Sequence, residues 1–248
     1  MFRFPRLPSF VAILLLALAG CTTVKPDMPW ALGPIPDGLD RFYTQDVRWG
    51  RCAEYATTEF DVESFAAPGL QCAWVEVPLD YADPEGATAR LGLLRRPAEA
   101  PAARIGSLLL NPGGPGASGM SAAAALAGML TNTELGRRFD LVGFDPRGIG
   151  ASEPAIECRS TEEQDAERLD LDLDTSPAGV AQTEAEERDY AQLCAERVGE
   201  AVLERVGTRE VARDLDVLRA VLGDRKLSYL GYSYGTRIGT EYAEQFPG

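Results

Sequence analysis

Residues 226–235 read Lys-Leu-Ser-Tyr-Leu-Gly-Tyr-Ser-Tyr-Gly, and the fold hangs on how this stretch is understood. An apolar run at 227–232 has the character of a strand, it enters the pattern G-x-S-x-G at Gly231, Ser233 and Gly235, and a helix-like segment at 236–246 leaves it. Strand, sharp turn and helix in that order present a serine as a nucleophile. So tight a turn puts Ser233 in a strained conformation. The positions two before and two after it are expected to crowd its side chain, so glycine is needed at both. The N–H groups opening the helix, that of Tyr234 first, point to where negative charge would develop.

Working back along the chain, residues 105–110 form a continuous apolar run that reads as a buried parallel strand. It delivers the chain into Asn111-Pro-Gly-Gly-Pro-Gly-Ala-Ser-Gly119. As an oxyanion loop, this segment lets a backbone N–H approach a substrate carbonyl, with Gly113 as first choice, Gly114 beside it and Tyr234 as the second donor. As a phosphate loop it lacks the Lys-Ser or Lys-Thr of that pattern. A third reading is dinucleotide binding, because Gly114, Gly116 and Gly119 fit G-x-G-x-x-G and Asp145 ends the next strand. Prolines at 112 and 115 and the downstream serine turn argue against it.

Before this loop, 72–81 and 89–95 read as two strands of a hairpin joined through Asp83-Pro-Glu-Gly86. After it come a small-residue helix at 122–130, a buried strand at 139–144, and a turn whose Arg147 is expected to tie neighbouring loops together. Residues 152–207 form an acidic insertion with a helix at 184–206. Asp170, Asp172 and Asp174 do not make a calcium loop, since Thr175 stands where glycine is required and Ala181 where glutamate is. No metal site is expected. Thr208 should cap the next helix, in which Val211, Leu215, Leu218 and Leu222 share a face and Gly223 is the stop.

The amino terminus has Arg3 and Arg6 before an apolar run at 10–19, too short to span a bilayer and flanked as a secretory signal is. It closes in Leu18-Ala19-Gly20-Cys21, the pattern of a bacterial lipobox. Residues 1–20 are therefore expected to be removed as a signal peptide. Cys21 would then carry the lipid on a tether to residue 37, anchoring an exported protein to the membrane. The remaining Cys52, Cys72, Cys158 and Cys194 are an even set in an exported chain. Four cysteines allow three pairings, and pairing 52 with 72 and 158 with 194 lets each bridge bracket a separate segment. Formal net charge of −14 makes nucleic acid an improbable partner.

Strand, glycine loop, helix, strand, helix, strand, turn, helix is the alternation of an α/β fold with a mostly parallel sheet and a hairpin at its start. The stretches 111–119, 140–152 and 207–248 resemble the secreted tripeptidyl aminopeptidases, relatives of the proline iminopeptidases within the α/β-hydrolase fold. The run V-A-R-D-L-D-V-L-R-A-V-L-G-D-R-K-L-S-Y-L-G-Y-S-Y-G-T is particularly close to their pattern. The resemblance implies a serine peptidase that releases residues or short peptides from free N-termini, without a cofactor. It also implies a triad Asp and His following the serine and a helical cap. No histidine occurs among the 248 residues, so the chain is expected to be the N-terminal part of such an enzyme, inactive and prone to associate by itself. An esterase of the same fold and a non-catalytic binding lipoprotein are the alternatives.

Overall fold

The computed structural model describes residues 34–167 and 174–248. The signal segment 1–20, Cys21, most of the tether, and Asp170 and Asp172 lie outside the described residues.

In chain order the elements are α1 (Asp40–Tyr43), α2 (Glu59–Ser64), β1 (Gln71–Pro78), β2 (Thr88–Arg96), β3 (Gly106–Asn111), α3 (Gly119–Met129), α4 (Glu134–Arg138) and β4 (Phe139–Phe144). The insertion then supplies α5 (Thr161–Glu167), α6 (Pro177–Val198) and α7 (Glu200–Leu203), followed by α8 (Thr208–Val221), β5 (Ser228–Gly231) and α9 (Tyr234–Gln245). The strands make one sheet in the order β1-β2-β4-β3-β5. The β1–β2 hairpin is antiparallel, with Gln71 opposite Arg95 and Pro78 opposite Thr88, and β2 is also antiparallel to β4. Parallel pairing begins at β4–β3 and continues to β5, where Leu110 lies opposite Leu230.

Apolar side chains bury on both faces of this sheet, as a central parallel sheet requires. On one face Phe42, Val211, Leu215, Leu218 and Ile238 from α1, α8 and α9 cover Val75, Leu91, Leu109 and Phe144. On the other, Met120, Ala123 and Ala127 of α3 cover Leu94, Leu110 and Leu141. The α3 helix rests on β4 backbone to backbone. A β-carbon on Gly143 would lie 2.0 Å from the Gly119 carbonyl oxygen, which is why this helix is built of small residues.

Cys52 is bonded to Cys72 and Cys158 to Cys194, the bracketing pairing. Such bridges belong to a chain that folds in an oxidising, exported compartment. The second one pins the largely exposed α6 to the turn after β4.

Two sequence expectations need correction. The insertion helix starts at Pro177 and stops at Val198, because Gly199 adopts φ 89° and breaks the run expected to reach 206. Thr208 is the first residue of α8 rather than its cap; Gly207 holds the cap position, and the Thr208 hydroxyl pairs with the Tyr234 hydroxyl at 2.5 Å.

Candidate active site

The turn between β5 and α9 holds Ser233 at φ 50° and ψ −126°, a region that an L-residue with a side chain enters only under constraint. Serine is a strong helix-capping residue, yet here its side chain makes no capping bond to α9. The exposed hydroxyl is thereby left available for chemistry.

Glycine is required on both sides, but not because of the serine side chain itself. A β-carbon on Gly231 would fall 2.6 Å from the backbone of Gly235, so the pair lets strand and helix cross at contact distance. One on Gly235 would fall 2.6 Å from the carbonyl oxygen of Asn111 at the end of β3. That same carbonyl accepts from the Tyr232 N–H at 3.0 Å, which fastens the turn to the central strand.

The glycine loop lies directly against this turn. Gly113, at φ 99°, comes so close that a β-carbon would stand 2.9 Å from Ser233 Cβ and 2.9 Å from Tyr234 N. Its N–H, the first-choice oxyanion donor on sequence grounds, donates instead to Asn111 Oδ1 at 2.9 Å. Gly114 is exposed at φ 105°, and neither its N–H nor that of Tyr234 has a hydrogen-bond acceptor among the described residues. Asn111 escaped the sequence reading of the site. An Asn two residues before a glycine in a turn is the local signal for a side-chain-to-backbone bond of this kind. Its amide nitrogen is buried and has no partner among the described residues.

Behind the loop, the turn after β4 is locked by two buried charges. Asp145 accepts from Ser118 Oγ (2.6 Å) and from the N–H groups of Met120 (3.1 Å) and Ala151 (2.9 Å), and burial raises its pKa despite these donors. It joins the end of β4 to the start of α3, a structural task and not a ribose contact. Arg147 forms a bidentate pair with Asp214 of α8 (2.6 and 2.7 Å) and donates to the carbonyls of Pro78, Leu79 and Arg205. Burial opposes its charge, but the Asp214 carboxylate outweighs that and lifts its pKa. Arg147 is thus a tie between loops, as expected.

Between the glycine loop, the Arg147 turn and the first turns of α8 and α9 lies a cavity of about 260 Å³. Gly113, which packs against Ser233, and Tyr234, which follows it in the chain, form part of its wall.

Residues 106–248 match the family described as alpha/beta hydrolase fold. The chain is 50% identical over 179 residues to serine protease Hip1 of Mycobacterium tuberculosis, covering 72% of this chain and 34% of that protein. It is 47% identical over 171 residues to carboxylesterase B of the same organism, covering 69% and 32%. To the tripeptidyl aminopeptidase of Streptomyces lividans it is 42% identical over 186 residues, covering 72% and 33%. The chain spans about a third of the length of these curated relatives.

Proposed function

The chain belongs to the α/β-hydrolase fold family, and from that premise we propose that Ser233 is the nucleophile of a serine peptidase acting on substrates with a free N-terminus. The observation that carries this reading is the strained, uncapped Ser233 with the Gly113 loop pressed against it. The aminopeptidase relative supports the choice of substrate.

In this mechanism Ser233 Oγ attacks the scissile carbonyl carbon, its proton passes to a base, and the carbonyl oxygen becomes an oxyanion. The N–H groups of Tyr234 and Gly114 are the donors proposed for that oxyanion, because Gly113 is engaged with Asn111. Collapse expels the amine and leaves an acyl group on Ser233, which water then removes. No cofactor enters these steps. The 248 residues contain no histidine, and the matched part of the chain covers only 33% of the aminopeptidase relative, so we place the base in sequence outside this chain. We also propose Cys21 as the lipid attachment that holds the exported protein to a membrane.

Ester hydrolysis is the second reading, favoured by the carboxylesterase relative. The test is to label the natural full-length protein with a fluorophosphonate and map the adduct, then to compare aminoacyl-peptide amides with p-nitrophenyl esters. An adduct on Ser233, turnover of the peptides and their loss in Ser233→Ala are expected; peptide turnover that survives this substitution would refute the assignment.

A further inference from the structure

The cavity beside Ser233 has a chemistry of its own. We propose that it receives the side chain of the substrate residue whose carbonyl Ser233 attacks, and that it selects an uncharged apolar side chain; this rests on the serine hydrolase reading above.

Position comes first. Gly113 and Tyr234 line the cavity and also touch or adjoin Ser233, so a group held there is one residue's reach from the hydroxyl. Size comes next. About 260 Å³ is below the ~300–1,000 Å³ of pockets that hold whole small molecules, which suits a single side chain. The wall then decides the chemistry. Ile149, Ile156, Val206, Val211 and Ile238 line it with aliphatic side chains. Its cation, Arg147, has every nitrogen of the guanidinium engaged, with Asp214 and three carbonyls, and so presents no charge to an acidic substrate. No carboxylate lines the cavity to meet a lysine or arginine among the described residues. The hydroxyl of Tyr234 is held by Thr208. Among the described residues the buried amide nitrogen of Asn111 is a wall donor without a partner; being neutral, it can donate a hydrogen bond but supplies no opposite charge. A charged side chain entering here would be desolvated with no opposite charge to pair with.

The experiment is a series of peptidyl p-nitroanilides that differ only in the residue donating the acyl carbonyl, Ala, Leu, Phe, Lys or Glu, with the natural full-length protein. Expected is a kcat/KM for Leu about tenfold or more above Ala, and about a hundredfold above Lys and Glu. Equal or better turnover of Lys or Glu overturns the proposal. A Val206→Trp variant, which narrows the mouth from a half-buried position, should reduce the Leu-to-Ala ratio about tenfold. Where that variant fails to fold, the wild-type series decides alone. Fluorophosphonate labelling separates the levels. Labelling of Ser233 with a preference for charged residues overturns the pocket and leaves the hydrolase standing, whereas loss of labelling and turnover together overturns both.

Discussion

Gly235 of α9 sits directly on Asn111 of β3, with room for a hydrogen and nothing larger: a β-carbon there would meet the Asn111 carbonyl oxygen at 2.6 Å and its Oδ1 at 3.0 Å. The obstacle is backbone in the centre of the sheet, which cannot rotate away. Gly235→Ala is therefore expected to destabilise the natural protein by about 1–3 kcal/mol or more and to displace Ser233 enough to abolish turnover. Gly231→Ala should behave alike, because its β-carbon would meet Gly235 at 2.6 Å. Denaturant melts and fluorophosphonate labelling check both; a variant with native stability and labelling would show that the crossing is looser.

Removing the Asn111 side chain acts on the loop rather than on the turn. Asn111→Ala takes away the acceptor of the Gly113 N–H, at a cost of about 1–3 kcal/mol for a buried donor left unpaired. Because the loop also presents Gly114, kcat is expected to fall about 10²-fold while KM changes little. An unchanged kcat would sink the assignment of Asn111 as a positioning residue.

The Arg147–Asp214 pair is fully buried at 2.6 Å and joins the turn after β4 to α8. Breaking it from one side leaves an uncompensated buried charge. Asp214→Asn or Arg147→Met is thus expected to cost about 3–5 kcal/mol. Replacing both partners with apolar residues should recover part of that loss, and urea melts of the three variants give the comparison.

At the surface, the paired guanidinium of Arg197 is the chief cause that brings the Glu163 carboxyl down from 4.5 to about 2. A carboxylate with a lowered folded pKa contributes stability that is in place above its ordinary value and is lost as pH falls through the lowered one. The tie between α5 and α6 should accordingly hold down to pH 4.5 and loosen toward pH 2. Carboxyl titration by NMR reads this directly, and Arg197→Ala should return Glu163 toward 4.5.

Much of this architecture could be read in the sequence because it lives in local pattern. The β1–β2 hairpin, β4 and the strand–turn–helix around Ser233 each carry an apolar period bounded by Gly or Pro. The insertion was less legible. The first turns of α6, Pro-Ala-Gly-Val-Ala-Gln-Thr, are small and mostly exposed, so no apolar period marks their start, while the valines at 198, 202 and 206 carry a helical spacing straight through the break at Gly199. At the site, the serine and its glycines were visible and the state of Gly113 was not. That state depends on a side chain two residues away turning back on the backbone. Likewise Ser121 Oγ donates to Asp61 across 60 positions, which no short window contains.

Arg147 also bounds the acidic excursion at its foot, since it grips Arg205 and Asp214 where the chain returns from residues 152–207. A segment closed at its base by such a clamp can change length with little thermodynamic effect: doubling a flexible loop adds only about 0.6 kcal/mol of closure entropy. The Ser233 turn and the glycine loop therefore form a unit whose geometry is insulated from the excursion's length, while the cavity takes Ile156 and Val206 from the excursion's two ends. Relatives could lengthen, shorten or reshape that segment, and so alter which substrates reach the serine, without rebuilding the chemistry beneath it.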